Sequence, residues 1–532
     1  MTTGHEVEHG LLVVLALLLC TAALAMFARR VVIPYPVVLV VAGLVLSLVP
    51  ELPEIRLDPN IVFYLLLPPI LYHAAIHTSW RDFRRNLRPI GTLAVGLVLA
   101  TTLAVGCAAK LLIPEMSWAT AFVLGAIVSP PDAVAATAVL QRIKVPSRIV
   151  TILEGESLIN DATGLVVLKF AIAAVLTHSF SLPAAAEQFV YMAVVGVLVG
   201  LAVGEVSARA HHLVADTAIA IKLSLVVPFI AYIGAEWVGA SGVLSVVAAG
   251  ILRGWHAPEM FSAEARLQAY AVWDTVIFVI NGLVFILIGL QLPDLAEVAA
   301  LSPHAPVGWL LLDAAAIAAV AILVRLAWTY LAMLLRRMLR RKKPGPLAWR
   351  EATVIGWTGM RGVVSLAAAQ ALPLYQPSGE PFPDRTLILT LSFAVIFATL
   401  VVQGTTLPFL LRRLGLGEDP MFEREERLAR EKATHAAIAR IDTLAAERNL
   451  PRDLVDHVRR DYERRQLLLA AQRRSEDTTG HSRLADIARE LRLEAVAAER
   501  ARLIKLRRDG LIGDEVLSRI QRELDLEEMR LT

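Results

Sequence analysis

Charge and cysteine are both scarce in this sequence of 532 residues. Only 19% of the residues are charged and 56% are hydrophobic, whereas soluble proteins carry about a quarter charged residues. The two cysteines, Cys20 and Cys107, lie in apolar runs, so no disulfide framework is expected. The net charge is only +3, which argues against a nucleic-acid partner. The composition predicts a polytopic membrane protein in contact with the lipid bilayer.

Long apolar segments recur along the first 413 residues. A bilayer core requires roughly 20 apolar residues per helix. On this criterion the sequence predicts an all-α fold with thirteen transmembrane helices. Their predicted ranges are 10–29, 31–50, 59–78, 89–112, 117–141, 149–177, 188–209, 216–236, 239–253, 269–293, 307–335, 350–373 and 386–411.

Basic residues are distributed unevenly between the predicted loops. If the N-terminus is outside, nearly all loop arginines and lysines lie on the inner side, including the run RRMLRRKK (336–343). Such basic loops remain in the cytoplasm. The pattern predicts a cell-membrane protein with its N-terminus outside and its C-terminus in the cytoplasm.

The composition changes near residue 414. Residues 1–413 are predicted to form the transmembrane domain, whereas residues 414–532 are charged, rich in Ala and Leu, and periodic at helical spacing. This second segment is interpreted as a cytoplasmic α-helical domain. It could be a packing or dimerisation appendage or a regulatory sensor, and the sequence does not separate the two.

The segment SPPDAVAA (129–136) interrupts one of the predicted spans. Pro130 and Pro131 remove two backbone donors in the middle of an apolar run and leave carbonyls that lipid cannot satisfy. Asp132 follows them directly. A broken helix with an acid at the break is how transporters bind cations, although a simple proline kink is the alternative.

The segment EGESLINDATG (154–164) places several polar groups inside another span. Ionisable side chains in a membrane are costly and are functional by default. Helical spacing predicts one row with Ser157 and Asp161 and a neighbouring row with Glu156 and Asn160. Oxygen ligands of this kind suit a hard monovalent cation. A structural network of these acids with Lys169 or Arg361 is the alternative interpretation.

Two further arginines occur in apolar runs. Arg361 lies among glycines that permit a helix break, and a buried arginine requires a carboxylate partner. We predict that this partner is Glu156. Arg325 is interpreted as a partner of Asp313.

Four motifs then match a known family. GESLINDATGLVVL (155–168), SPPDAVAA (129–136), NGLVFILIGLQLP (281–293) and GWTGMRGVVSLAAAQALP (356–373) resemble those of bacterial monovalent cation/proton antiporters, the NhaP-type sodium/proton exchangers. The resemblance runs from the first span to about residue 413. It implies two inverted repeats of six helices, broken helices that cross in mid-membrane, and a homodimer in the inner membrane. It also implies a transporter rather than an enzyme, with no cofactor besides the transported Na⁺ and H⁺.

The resemblance also implies roles for individual residues. Asp161 is the essential carboxylate that binds either the cation or a proton. Asp132, Ser157 and a backbone carbonyl near Pro131 complete the site. Asn160 stands where electrogenic relatives have a second aspartate. Glu156 and Arg361 form a buried structural ion pair.

The sequence departs from the family at two positions. Pro131 stands where relatives often have threonine, and His73 in LPPILYHAAIH (67–77) stands where some have an acid that contributes to ion binding. His73 is therefore a candidate modulator of the site. Glu154 and Lys169, two charged residues of the span that carries Asp161, are further candidates. A neutral histidine that packs between helices is the alternative for His73.

These residues predict a mechanism of competition. A single carboxylate cannot carry Na⁺, or Li⁺, together with H⁺, so each conformational change moves one or the other. With Asn160 neutral, we predict electroneutral exchange at Asp161. A K⁺/H⁺ antiporter of the same fold and a non-transporting membrane receptor or scaffold are the alternatives.

Overall fold

The protein is almost entirely helical. A computed structural model describes residues 2–30, 33–49, 58–132, 134–140, 143, 145–214, 216–260, 263–291, 307–340, 348–416 and 420–460, with short stretches between 462 and 528. Within these ranges no strand forms, and the one β-bridge joins Tyr375 to Pro381. The predicted all-α fold is confirmed.

Eighteen α-helices are named here in chain order. They are α1 (Thr2–Arg30), α2 (Tyr35–Ser47), α3 (Leu67–His77), α4 (Trp80–Arg85), α5 (Leu87–Gly91), α6 (Val98–Leu112), α7 (Trp118–Val128), α8 (Val134–Leu140), α9 (Ser147–Thr177), α10 (Leu182–His212), α11 (Thr217–Trp237), α12 (Gly242–Met260), α13 (Ala263–Leu290), α14 (Val307–Arg340), α15 (Ala348–Trp357), α16 (Val363–Gln370), α17 (Arg385–Leu414) and α18 (Pro420–Arg448). Two π-helical turns, Ile61–Leu66 and Thr92–Leu97, lead into α3 and α6.

Seven of the described helical segments are long and apolar enough to cross a membrane. They are Leu87–Leu112, Ser147–Thr177, Leu182–His211, Thr217–Trp237, Ala265–Leu290, Gly308–Leu335 and Arg385–Leu414. Shorter apolar helices occur at Leu15–Ala28, Tyr35–Ser47, Ile61–His77 and Trp118–Val128. The chain is thus a polytopic membrane protein, while the count of thirteen spans stays a prediction. Of the basic run 336–343, residues 341–343 lie outside the described residues.

Two of the predicted spans are interrupted. One helix stops at Val128 and resumes at Val134, because Pro130 and Pro131 have no N–H to continue the helical hydrogen bonds. The other stops at Trp357 and resumes at Val363, in the glycine-containing stretch 358–362. The breaks cross, since the backbone N–H of Asp132 donates to the carbonyl of Met360 at 2.7 Å.

Gly362 permits this close crossing. A β-carbon at Gly362 would overlap the carboxylate of Asp132. Any larger residue would therefore force the two breaks apart. The glycine is required for the approach of the other backbone rather than for an unusual backbone angle.

Helix α9 runs through the centre of the apolar packing. Its residues Leu153, Leu158 and Leu168 belong to three different buried clusters, formed with different sets of neighbouring helices. A helix with packing partners on several faces can bury polar groups only if those groups find partners or bind a ligand.

The chain divides into two compact units, Met1–Glu418 and Asp419–Thr532. The second unit contains α18, whose exposed surface carries ion pairs such as Arg430–Glu426 and Arg440–Glu447. The domain boundary at 413/414 and the role of this unit stay predictions.

Candidate ion-binding site

Asn160 ties α9 to the proline break. Its side-chain nitrogen donates to the carbonyl of Pro131 at 2.6 Å, and the residue is fully buried. Its side-chain oxygen has no hydrogen-bond partner in the described part of the chain. The amide therefore satisfies one of the carbonyls freed by the break and presents an acceptor to the crossing.

Asp132 lies between the starts of two half-helices. One oxygen of its carboxylate accepts the backbone N–H of Val134 at 2.7 Å, at the N-terminus of α8. The other oxygen faces Gly362, which immediately precedes α16. Helix N-termini carry partial positive charge, so both ends favour an ionised Asp132.

Asp161 is the second buried acid of α9, after Glu156. It is 7% exposed, and its carboxylate accepts no hydrogen bond from the residues the structure describes. Asp132 is close enough for the two carboxylates to repel each other. Ser157 lies about one turn earlier and is half-buried. Two carboxylates, an amide oxygen and a hydroxyl can supply the oxygen ligands of a monovalent cation.

Glu156 forms the buried ion pair, but with Arg325. Both nitrogens at the end of the arginine bind the carboxylate: Nη2 lies 2.8 Å from Oε2, and Nη1 contacts Oε1. Each side chain is 2% exposed. Nε of Arg325 donates to the carbonyl of Ile355 at 3.0 Å. Each of the three guanidinium nitrogens of Arg325 on α14 thus donates a hydrogen bond to α9 or α15.

This pairing corrects two predictions. The predicted pair of Glu156 with Arg361 is wrong, because the carboxylate of Glu156 forms its ion pair with the guanidinium of Arg325. The predicted pair of Arg325 with Asp313 is also wrong. Both residues belong to α14, where a separation of twelve residues puts them about 18 Å apart.

Arg361 instead binds backbone carbonyls at both breaks. Nε donates to the carbonyl of Val128 at 2.9 Å, and Nη1 donates to the carbonyl of Gly359. Its backbone N–H donates to Oγ1 of Thr399 at 3.3 Å. Val128 is the last residue of α7, so the guanidinium neutralises the partial negative charge of carbonyls left without helical partners.

Among the described residues, no hydrogen bond or ion pair joins the candidate modulators to the groups at the two breaks. Lys169 is 58% exposed and lies 4.0 Å from Glu236. Glu154 is half-buried, and no hydrogen bond to it is found among the described groups. Nε2 of His73 lies 3.3 Å from Oδ1 of Asp274, and its ring lies 4.4 Å from the ring of His77.

A small cavity of about 40 Å³ adjoins His73. Arg253, Arg266 and Trp273 also line it. Within the described residues, no group of three or more His, Cys, Asp or Glu side chains could hold a metal ion. None of the residues that line this cavity belongs to either helix break.

The sequence did not predict the contacts that three residues make in this region. Arg325, Gly362 and Thr399 act through contacts between distant segments, and spacing along the chain carries no signal for such contacts. The apolar surroundings of Arg325 did indicate a buried charge. They could not indicate which acid would neutralise it.

Comparison with known proteins now gives the family. Residues 14–413 match the family model described as "Sodium/hydrogen exchanger, transmembrane". The chain belongs to the sodium/hydrogen exchanger family. It is therefore a cation/proton antiporter of the membrane and not an enzyme, as the sequence predicts.

Individual relatives agree with this assignment. The chain is 36% identical to an uncharacterized Na⁺/H⁺ exchanger of Mycobacterium tuberculosis (strain ATCC 25618 / H37Rv), over 100% of this chain and 98% of the relative. It is 32% identical to the sodium, potassium, lithium and rubidium/H⁺ antiporter of Bacillus subtilis (strain 168), over 96% of this chain and 76% of the relative.

A solved structure has the same fold. The sodium proton antiporter MjNhaP1 from Methanocaldococcus jannaschii superposes with a TM-score of 0.60, covering 77% of this chain and 100% of that one. The sequence identity is 17%. The likeness confirms the predicted antiporter fold.

Proposed function

We propose that this protein exchanges Na⁺ for H⁺ by alternating access, with the cation and the proton competing for Asp161. The observation that carries this proposal is the state of the Asp161 carboxylate, which is buried beside the helix crossing and accepts no hydrogen bond from the described residues. A buried carboxylate left in this state binds either a proton or a cation.

We assign the remaining ligands to the same crossing. Asp132, Ser157 and the carbonyl of Pro131 complete the cation site together with Asp161. Asp132 and Pro131 belong to the proline break, and Ser157 lies one turn before Asp161 on α9. The carbonyl of Pro131 accepts a hydrogen bond from Asn160 and retains a second lone pair for a cation. Lys169 has no part in this site, since its ammonium group is directed to Glu236.

Exchange is proposed to be electroneutral. Asn160 carries no charge in either state, and the carboxylate of Asp132 already accepts the backbone N–H of Val134 at the start of α8. Asp161 is then the single exchanging acid, and one cation moves for each proton. Under this stoichiometry each unit of pH difference balances a tenfold cation gradient, about 1.4 kcal/mol.

The transported ion is proposed to be Na⁺, with Li⁺ as a second substrate. K⁺/H⁺ exchange on the same fold is the competing function, because oxygen ligands alone do not discriminate Na⁺ from K⁺. The name of the Bacillus subtilis relative includes all of these ions. That relative supports a broad cation selectivity.

The protein is proposed to act as a homodimer in the inner membrane, with the N-terminus outside and the unit Asp419–Thr532 in the cytoplasm. The uneven distribution of basic residues in the sequence supports this orientation.

Exchange in proteoliposomes tests the proposal. Proton flux driven by Na⁺, Li⁺ or K⁺ gradients is measured at several pH values, with the membrane voltage set by a K⁺ ionophore in the Na⁺ and Li⁺ arms. We expect Na⁺- and Li⁺-driven flux whose rate does not depend on voltage. Voltage-dependent flux would refute electroneutrality, flux with K⁺ alone would favour the competing ion, and no flux with any cation would favour a receptor or scaffold.

A further inference from the structure

A basic surface lies next to the transport helices but outside the ion site. Helices α4 and α5 together form an elbow, Trp80–Gly91, at the start of the apolar span Leu87–Leu112. The elbow presents four exposed arginines against one exposed acid, Asp82. The arginines are Arg81, Arg84, Arg85 and Arg88.

Apolar side chains accompany this charge. Trp80 is 37% exposed and Leu87 is 43% exposed. Tryptophan is enriched where a membrane meets water, and basic residues at the end of a membrane helix lie at the level of the lipid phosphates. The guanidinium fork matches the geometry of a phosphate group. The chemistry of the elbow is that of a headgroup-binding surface.

The elbow is a fixed structure. Oγ of Ser79 accepts the backbone N–H of Asp82 at 3.3 Å and caps α4. The side-chain nitrogen of Asn86 donates to the carbonyl of Asp82 at 2.9 Å. Phe83 is buried beneath the arginines. The basic side chains therefore project from an ordered backbone, which lowers the entropy that a ligand must offset on binding.

The buried side of the elbow packs directly on α9. A β-carbon built at Gly155 would lie 2.6 Å from Cδ1 of Ile90 and 3.1 Å from Cδ2 of Phe83. Gly155 precedes Glu156, the acid that holds α9 to Arg325. Because Gly155 has no side chain, Ile90 and Phe83 of the elbow pack directly on the backbone of α9. A shift of the elbow is therefore transmitted to α9.

We propose that the elbow binds the headgroups of anionic phospholipids, and that this binding accelerates exchange by holding Phe83 and Ile90 against α9. The first part stands without the transport assignment, whereas the second part rests on the proposed function. Each arginine near an anionic surface contributes about a fivefold gain in lipid affinity, so removing two weakens binding about 30-fold.

The test uses the full-length protein and phosphatidylglycerol as the probe. The double variant Arg84→Gln/Arg85→Gln is compared with the matched control Arg430→Gln/Arg440→Gln, which removes two exposed arginines of α18, outside the apolar spans. Retained phosphatidylglycerol is counted by native mass spectrometry. Sodium-driven proton flux is measured in phosphatidylethanolamine liposomes with an increasing fraction of phosphatidylglycerol.

We expect the elbow variant to retain less lipid and to lose a severalfold stimulation of flux by phosphatidylglycerol. The control should keep both, and it corrects for ions concentrated at a charged membrane surface. Equal lipid retention by both variants would overturn the binding surface. Lost retention with unchanged stimulation would overturn the coupling to α9. Absence of flux from wild-type protein in every lipid would count against the proposed function alone, because mass spectrometry still decides the binding.

Discussion

Glu156 and Asp161 lie on the same helix, little more than one turn apart, but only the carboxylate of Glu156 has a partner among the described residues. The carboxylate of Glu156 is filled by the guanidinium of Arg325. The carboxylate of Asp161 is nearly as buried but accepts no hydrogen bond from the described residues. Burial alone therefore does not distinguish the paired acid Glu156 from Asp161, the proposed exchanging acid. The distinction lies in whether the protein itself supplies the counter-charge.

The two helix breaks show a related contrast. The proline break carries an acid, Asp132, which binds the N–H at the start of the second half-helix. The glycine break carries a base, Arg361, which binds carbonyls including the one that ends the first half-helix α7. Each charge thus meets backbone dipoles of the opposite sign. Under the proposed mechanism, such fixed pairing keeps Asp132 and Arg361 in place while Asp161 exchanges the proton and the cation.

The largest effect on exchange is expected from Asp161→Asn. The amide matches the carboxylate in shape but cannot take up a proton or balance a cation, so exchange should be abolished. The thermal unfolding temperature should stay close to that of wild type, since no described hydrogen bond is lost. Proton flux in proteoliposomes and unfolding in detergent are measured in parallel.

The matched control for this variant is Glu205→Gln. Glu205 is also an acid within an apolar helix, but its carboxylate pairs with Arg209 at 2.9 Å on the surface of α10. Its replacement should leave exchange intact. Sodium-driven flux that persisted in Asp161→Asn would assign the exchange to another acid.

The largest effect on stability is expected from Glu156→Gln. This change leaves the guanidinium of Arg325 buried without a counter-charge, which costs about 3–5 kcal/mol in comparable cases. The double variant Glu156→Leu/Arg325→Met removes both charges and should recover most of the loss. Thermal unfolding of purified protein measures both effects. A single variant as stable as wild type would mean that the pair contributes little.

Much of this architecture could be predicted from the sequence. Apolar runs indicate the membrane helices, and Pro130 and Pro131 indicate a helix break wherever the helix packs. The partner of Glu156 could not be predicted. Arg325 and Arg361 both lie in apolar runs and both require compensation, and the choice depends on how α14 packs against α9 and α15. Arg361 is satisfied by carbonyls, a kind of partner that residue types do not reveal.

The smallest effect is expected from Asp274→Asn. Asp274 is another acid within an apolar helix, and its side chain is 70% exposed and 3.3 Å from His73. Exposed pairs contribute about 0–1 kcal/mol, so the unfolding temperature should change little. Because Asp274 contacts His73 rather than α9, exchange should also remain near the wild-type rate. The variant His73→Gln is the matched control, since it removes the other member of the same pair. Abolished exchange in Asp274→Asn alone would show that the ion pathway includes a carboxylate of α13. The contrast between Glu156 and Asp161 would then no longer suffice to identify the exchanging group.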